Sequence, residues 1–196
     1  MSADLAETKG ERTRRRLLEL AIDRFGARGY RSTSVSEIAR AAGLTQAAAY
    51  AYFAGKEDLF VAAVDADASA LIDGAYAGVA ELALPQLFPS FIVALSADLP
   101  AHPLARRVLA GREPEVIARL VELPAMQTVT ARMETRVRKA QAAGTVGANV
   151  DAAKLCAGIE AIVVALLLSM VQIGGAPTRR HQAGVVEAFA ALLRPG

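Results

Sequence analysis

Residues 34–60 read SVSEIARAAGLTQAAAYAYFAGKEDLF, and the run opens on a helix start. Ser34 followed three residues later by Glu37 is a capping box, in which each side chain satisfies a backbone N–H at the helix end. Val35, Ile38, Ala39 and Ala42 then fall on one face of a short helix. Gly43 is free to take the left-handed conformation that closes this helix into a tight turn, and Leu44 fills the apolar position of that turn. Thr45 caps another short helix, expected from Gln46 to about Tyr52. Two short helices joined across Ala42-Gly43-Leu44-Thr45 make a helix-turn-helix pattern. Its second helix is nearly bare, with three alanines between Gln46 and Tyr50. A core helix carries larger apolar residues, and a solvated helix carries charges. Alanines fit a surface that lies against DNA, where the backbone must come close.

Upstream, Leu17, Leu18, Ala21, Ile22 and Phe25 repeat at helical spacing in a helix from about Glu11 to Arg28, which Gly29 stops. Downstream, Lys56 starts a fourth helix running towards Leu82. Pro85 and Pro89 precede the next helix, and Pro100, Pro103, Pro114 and Pro124 mark later starts. Helices are expected near 89–99, 103–110, 114–122, 125–143, 152–173 and 178–194. Of the 196 residues 54% are hydrophobic and only 5% aromatic, with abundant Ala and Leu. Period-two β-branched runs are absent, so the fold class is all-α. Residues 1–55 read as a helix-turn-helix head and residues 56–196 as a larger helical domain.

A net charge of +2 says little, but its distribution says more. Residues 1–60 hold ten Lys/Arg, dense around Arg12, Arg14, Arg15 and Arg16, whereas residues 61–103 hold none and five acids. A basic front beside an acidic stretch suits different partners for different parts. The single Cys156 makes no intrachain disulfide and reads as a buried thiol. The start lacks an apolar signal core, so a cytoplasmic protein is expected. Leu155 to Ile173 is almost long enough to span a membrane, but Glu160 interrupts it and aromatic anchors are missing, so it reads as a helix buried between protein layers. His102 and His181 are far apart and read as surface residues. With no metal-ligand spacing, phosphate loop or serine elbow, the chain is not expected to be an enzyme or to need a cofactor or metal.

From Arg14 to about Val64 the chain resembles the DNA-binding domain of the TetR family of bacterial transcription regulators. The resemblance rests on Phe25-x-x-x-Gly29-Tyr30, on Ser34-x-x-x-Ile38-Ala39, on Ala42-Gly43-Leu44-Thr45, on Tyr50-x-x-Phe53 and on Lys56-Glu57-x-Leu59. The sequence departs from the family at Ala49, where many relatives have leucine, and at Gly55, where a serine cap is usual. It also carries only Gln46, Ala47 and Ala48 where others often have Arg, Lys or Thr. The resemblance implies that Tyr50, Tyr52 and Lys56 contact the DNA backbone, and that the last two helices of each subunit form a four-helix dimer bundle.

Physical chemistry adds roles to the other positions. Gln46 can bridge donor and acceptor on a base edge, while Ala47 and Ala48 admit close approach and contact with thymine methyls. Thr45 with its helix start, and Thr33 with Ser34 at the preceding one, are expected to hold phosphates. Arg14 and its neighbours add salt-dependent affinity. The dimer face is expected from Leu155, Ile159, Ile162, Val163, Leu166 and Met170 with Val185, Phe189, Leu192 and Leu193. Such a homodimer would set two recognition helices against a palindromic operator in double-stranded DNA. Phe88, Phe91, Leu95, Met126, Val129 and Met133 are apolar candidates for a small-molecule effector pocket. The expected function is a repressor that its effector releases. The alternative is a helical interaction module with a degenerate head.

Overall fold

Thr8 starts the first helix, α1 (Lys9–Arg28), earlier than the apolar spacing indicates. Its side chain accepts from the Glu11 N–H, and the Glu11 carboxylate accepts from the Thr8 N–H at 2.7 Å. The Thr8 backbone N–H, and then the Thr8 hydroxyl donating to the same carboxylate, hold the Glu11 carboxyl below its ordinary pKa. The computed structural model describes residues 8–121 and 123–174, with residues 184, 187, 188 and 191 near the end of the chain. α1 buries Leu17, Ala21 and Phe25 completely, and stops at Gly29 with φ +82°. The capping box at Ser34 and Glu37 is present and opens α2 (Val35–Ala41). Gly43 takes φ +73°, a conformation that favours glycine, and turns the chain into α3 (Gln46–Ala49).

α3 is shorter than the expected run to Tyr52. After Ala49 the backbone tightens to three-residue bonds, Ala51 N–H to Ala48 and Tyr52 N–H to Ala49. That tightening accompanies the burial of Ala49 and Phe53 on the inner side. α4 (Lys56–Ala77) ends at Gly78 and does not reach Leu82. Gly74 and Gly78 weaken the helix there, since glycine gives up the most backbone freedom on ordering.

The remaining helices are α5 (Leu84–Asp98), α6 (Pro103–Leu109), α7 (Pro124–Ala142) and α8 (Ala152–Ile173), with 3-10 segments at Leu99–Ala101 and Pro114–Val121. α5 starts ahead of the expected residue 89. Pro85 fits its first turn, where no N–H is needed, and Pro89 is carried inside the helix at the loss of one bond. The expected helix at 178–194 lies outside the described residues, apart from four helical positions.

α4 is the central strut, packing against α1, α5, α6 and α7. Its buried face includes one charged residue, Asp67, which is 4% exposed. Asp67 Oδ2 accepts from the N–H groups of Leu104 (3.0 Å) and Ala105 (2.8 Å), so a side chain on α4 caps the start of α6. Its other oxygen meets His102 Nδ1 at 2.9 Å. His102 is therefore a half-buried partner of Asp67 and not a surface residue. α1 crosses the same end of α6 at Gly26, where an added Cβ would stand 2.9 Å from the Pro103 ring.

Cys156 is buried as expected, and burial first, then the nearby Glu134 charge, pushes its thiol up to about 11. α8 corrects another expectation. It is apolar and long enough to cross a membrane, yet only 22% of its apolar window is buried. One face, Ala152, Cys156, Ile159, Val163 and Leu167, enters the core, and the remaining α8 residues are half-buried or exposed.

Asp67→Ala should leave two N–H groups at the start of α6 without an acceptor. The expected loss is about 2–4 kcal/mol, read as a lower urea midpoint with unchanged slope.

Candidate nucleic-acid interface

α2 and α3 pack on one another, and α2 rests on α1. The inner surfaces of this unit are Ile38, Ala39, Ala49 and Phe53, set against Leu17 and Phe25 of α1. Leu44 adds a half-buried contact from the turn. This packing leaves Thr45, Gln46, Ala47 and Tyr50 exposed together, with Ala48 half-exposed. The three alanines thus divide between roles: Ala47 faces out, Ala48 is intermediate, and Ala49 lies in the core. Thr45 caps α3 by accepting from the Ala48 N–H at 3.2 Å. Gln46 Nε2 donates to the Tyr50 hydroxyl at 3.0 Å. That bond lies one helical turn apart and holds both side chains on the outer face. It leaves the Gln46 carbonyl and the Tyr50 O–H free for a partner.

Around this surface, Arg14 is exposed and its guanidinium lies 4.8 Å above the Phe53 ring. Lys56 opens α4 with Nζ 4.5 Å above the Tyr30 ring and 3.5 Å from the Arg31 carbonyl. Tyr30 in turn packs on Phe60, with ring centroids 4.8 Å apart. Two cations are therefore pinned by aromatic faces at the rim of the helix-turn-helix unit.

The model of bacterial regulatory proteins of the tetR family matches residues 17–63. Residues 17–63 are a TetR-family head. HTH-type transcriptional regulator YdgC of Bacillus subtilis, itself uncharacterized, is 44% identical over 54 residues, 28% of this chain and 28% of that protein. HTH-type transcriptional regulator AcrR of Shigella flexneri is 44% identical over 52 residues, 26% of this chain and 24% of its own length. The matched segment thus spans about a quarter of these curated relatives. A crystal structure from Mesorhizobium loti, assigned to the TetR family of transcriptional regulators, superposes with a TM-score of 0.71 at 25% identity. It covers 95% of this chain and 98% of its own, so the helical body shares that architecture as well. The matched family is one of regulators and not of enzymes.

Within the TetR-family head, one predicted phosphate ligand is misplaced. Thr33 is 3% exposed, and its hydroxyl faces the Gly29 carbonyl at 2.9 Å and the Arg24 carbonyl at 3.3 Å. Its side chain ties the turn between α1 and α2, because a β-branched hydroxyl there closes a buried backbone bond. Ser34 alone of that pair stays exposed, capping α2. Tyr52 is half-buried against the core, while Tyr50 is 45% exposed.

The body sorts the other predicted residues. Phe88, Phe91, Leu95, Met126, Val129 and Met133 are all buried. Leu95 and Met126 reach a cavity of about 40 Å³ between α4, α5, α6, α7 and α8, whereas the other four do not line it. Of the expected dimer face, Ile159 and Val163 point into the chain's own core, because they share the helix side of Cys156 and Leu167. Ile162 is exposed, and Leu155, Leu166 and Met170 are half-buried. Val185, Phe189, Leu192 and Leu193 lie outside the described residues.

A buried ion pair escaped the sequence reading. Glu113, 3% exposed, binds the Arg107 side chain and accepts from the Tyr30 N–H at 3.2 Å. It fastens the end of α1 to the segment after α6. Nothing in a six-residue spacing, or across 83 residues to Tyr30, signals that link.

Thr33→Val should lower stability by about 1 kcal/mol through the lost buried hydroxyl bonds, measured by urea unfolding. Ser34→Ala, at an exposed cap, serves as the comparison for effects on DNA.

Proposed function

We propose that this chain is a homodimeric transcription regulator acting in the cytoplasm, a repressor that a small, largely apolar ligand releases from a palindromic operator. The observation that carries this reading is the outward face of α3, where Gln46, Ala47 and Tyr50 stand together just after the Thr45-capped helix start. Gln46 reads a base edge, with adenine the expected partner. Ala47 and Ala48 admit close approach. Arg14, Ser34, Thr45, Tyr50, Tyr52 and Lys56 serve phosphates, so affinity is largely electrostatic and falls with salt. Residues 1–55 carry this function, and residues 56–196 carry dimerisation and the effector.

The outer face of α8 supports a second copy of the chain as partner. Leu155, Ile162, Leu166 and Ile173 lie along it with the small residues Gly158, Ala165 and Ser169, and Ile162 and Ile173 are 45% and 79% exposed. An uncharged apolar stripe of this length is costly to leave in water. A two-fold pairing covers it on both copies at once. Val185, Phe189, Leu192 and Leu193 are proposed as the second half of this interface on sequence alone. Two heads held about 34–36 Å apart reach successive major grooves.

The 40 Å³ cavity is far below the roughly 300 Å³ at which small-molecule sites begin. An effector must therefore open it, and its binding is tighter in whichever state has the room. Linkage then makes ligand and operator compete if that state holds the heads at the wrong spacing. The brevity of α3 favours one other reading, a helical interaction module whose head no longer reads DNA.

Selection of bound fragments from a genomic DNA pool at moderate salt decides between the two. A palindrome should be enriched, with Gln46→Ala binding it about tenfold more weakly, as expected for one lost base contact. No enrichment at any salt concentration would instead favour the interaction module. Ile162→Glu should convert the dimer to monomer in sedimentation and remove palindrome binding while leaving helical circular dichroism intact. A dimer of unchanged mass would exclude the outer face of α8.

A further inference from the structure

Two clefts meet where the head joins the body. One, of about 290 Å³, is lined by Gly26, Pro100, Pro103, Ala110 and Val171 together with Arg106, Arg107 and Arg112. The other, of about 320 Å³, is lined by Arg28, Tyr30 and Arg31 of the head and by Arg107, Arg112, Glu113 and Glu115 of the body. Arg107 and Arg112 belong to both. No residue of α2 or α3 lines either cleft.

The charge within this double cleft is unbalanced. Arg107 is bound to Glu113, Arg31 to Glu115 at 3.3 Å, and Arg28 to Glu37 at 3.7 Å. Arg106 and Arg112 have no side-chain partner among the described residues. Guanidinium groups cannot shed their charge near neutral pH, so these two stay cationic beside Arg107 in one concave site. The like charges repel, and concave walls concentrate their field. A group presenting two negative charges relieves that repulsion and offers paired oxygens to guanidinium forks. Pro100, Pro103 and Val171 supply an apolar wall beside them.

We infer that the junction of α1, α6 and the segment after α6 is a binding site for a small organic dianion, carrying either a phosphate or two carboxylates, with Arg106 and Arg112 as its principal anchors. The site is separate from the apolar cavity in the body. Each cleft has about the volume at which small-molecule sites begin. Arg107 and Arg112 also border the head, so an occupant bears on the contact by which Glu113 holds Tyr30. Dianion binding therefore biases the head's position and changes DNA affinity. That consequence rests on the DNA-binding reading, whereas the binding itself does not.

Titration calorimetry of the full chain with inorganic pyrophosphate, at ionic strength held constant with sodium chloride, tests the site without DNA. Saturable binding near one per chain is expected. The Arg106→Gln/Arg112→Gln variant should bind at least tenfold more weakly, and Arg14→Gln on the head should match the wild type. Both arginines of the double variant lie on the surface, and its melting temperature without ligand checks that it folds. Absence of saturable binding, or wild-type affinity in the double variant, overturns the site. Wild-type pyrophosphate affinity combined with weaker DNA binding and a shallower salt dependence assigns the arginines to DNA phosphates and also overturns it. Pyrophosphate that binds but leaves DNA affinity unchanged overturns the coupling while upholding the site.

Discussion

The Asp67 carboxylate holds together elements that the chain separates widely. It stands buried on α4 and accepts the first free N–H groups of α6. A helix of seven residues has little stability by itself, since nucleation is costly and few bonds repay it. Tying its start to α4 fixes where α6 lies. α1 then crosses α6 at Gly26, against Pro103, and the end of α1 is fastened by Glu113 and Arg107. The head's position on the body depends on that sequence of contacts. An acid in an apolar interface is stable here because both oxygens have partners.

This arrangement gives the head two distinct kinds of attachment. Near α4 it is apolar and aromatic, with Phe25, Tyr30 and Phe60 packed at centroid distances of 4.8–6.3 Å. Near α6 it is polar, made of the Glu113–Arg107 pair and the more exposed Arg31–Glu115 pair. Packed rings transmit displacement without choosing among ligands. Charged groups respond to whatever anion enters beside them. The proposed dianion site lies at the polar attachment, apart from the apolar cavity in the body.

The TetR-family head was largely legible because its signals are local. The Ser34–Glu37 box, the turn glycine at Gly43 and the Thr45 cap each act within a few residues, and each appears where its spacing puts it. The length of α3 was not legible, since it depends on Ala49 and Phe53 entering a core shared with residues of other helices. The orientation of Thr33 was hidden for the same reason: a hydroxyl next to a cap reads as exposed until the turn from Gly29 closes over it. In the body, the stripe on α8 was visible as composition but not as direction. A helix apolar nearly all round carries no periodic mark of which side its own chain will cover.

The sequence by itself determined that this chain is helical, where the head turns, and which family the head resembles. Helix caps, turn glycines and apolar spacing act over one or two turns, and so they can be read along the chain. Only the tertiary structure decided that Asp67 caps α6, that Glu113 and Arg107 fasten the head, and that Ile162 faces outward while Ile159 does not. Each of those facts depends on which distant surfaces are removed from water together, and a burial pattern is a property of the packed whole.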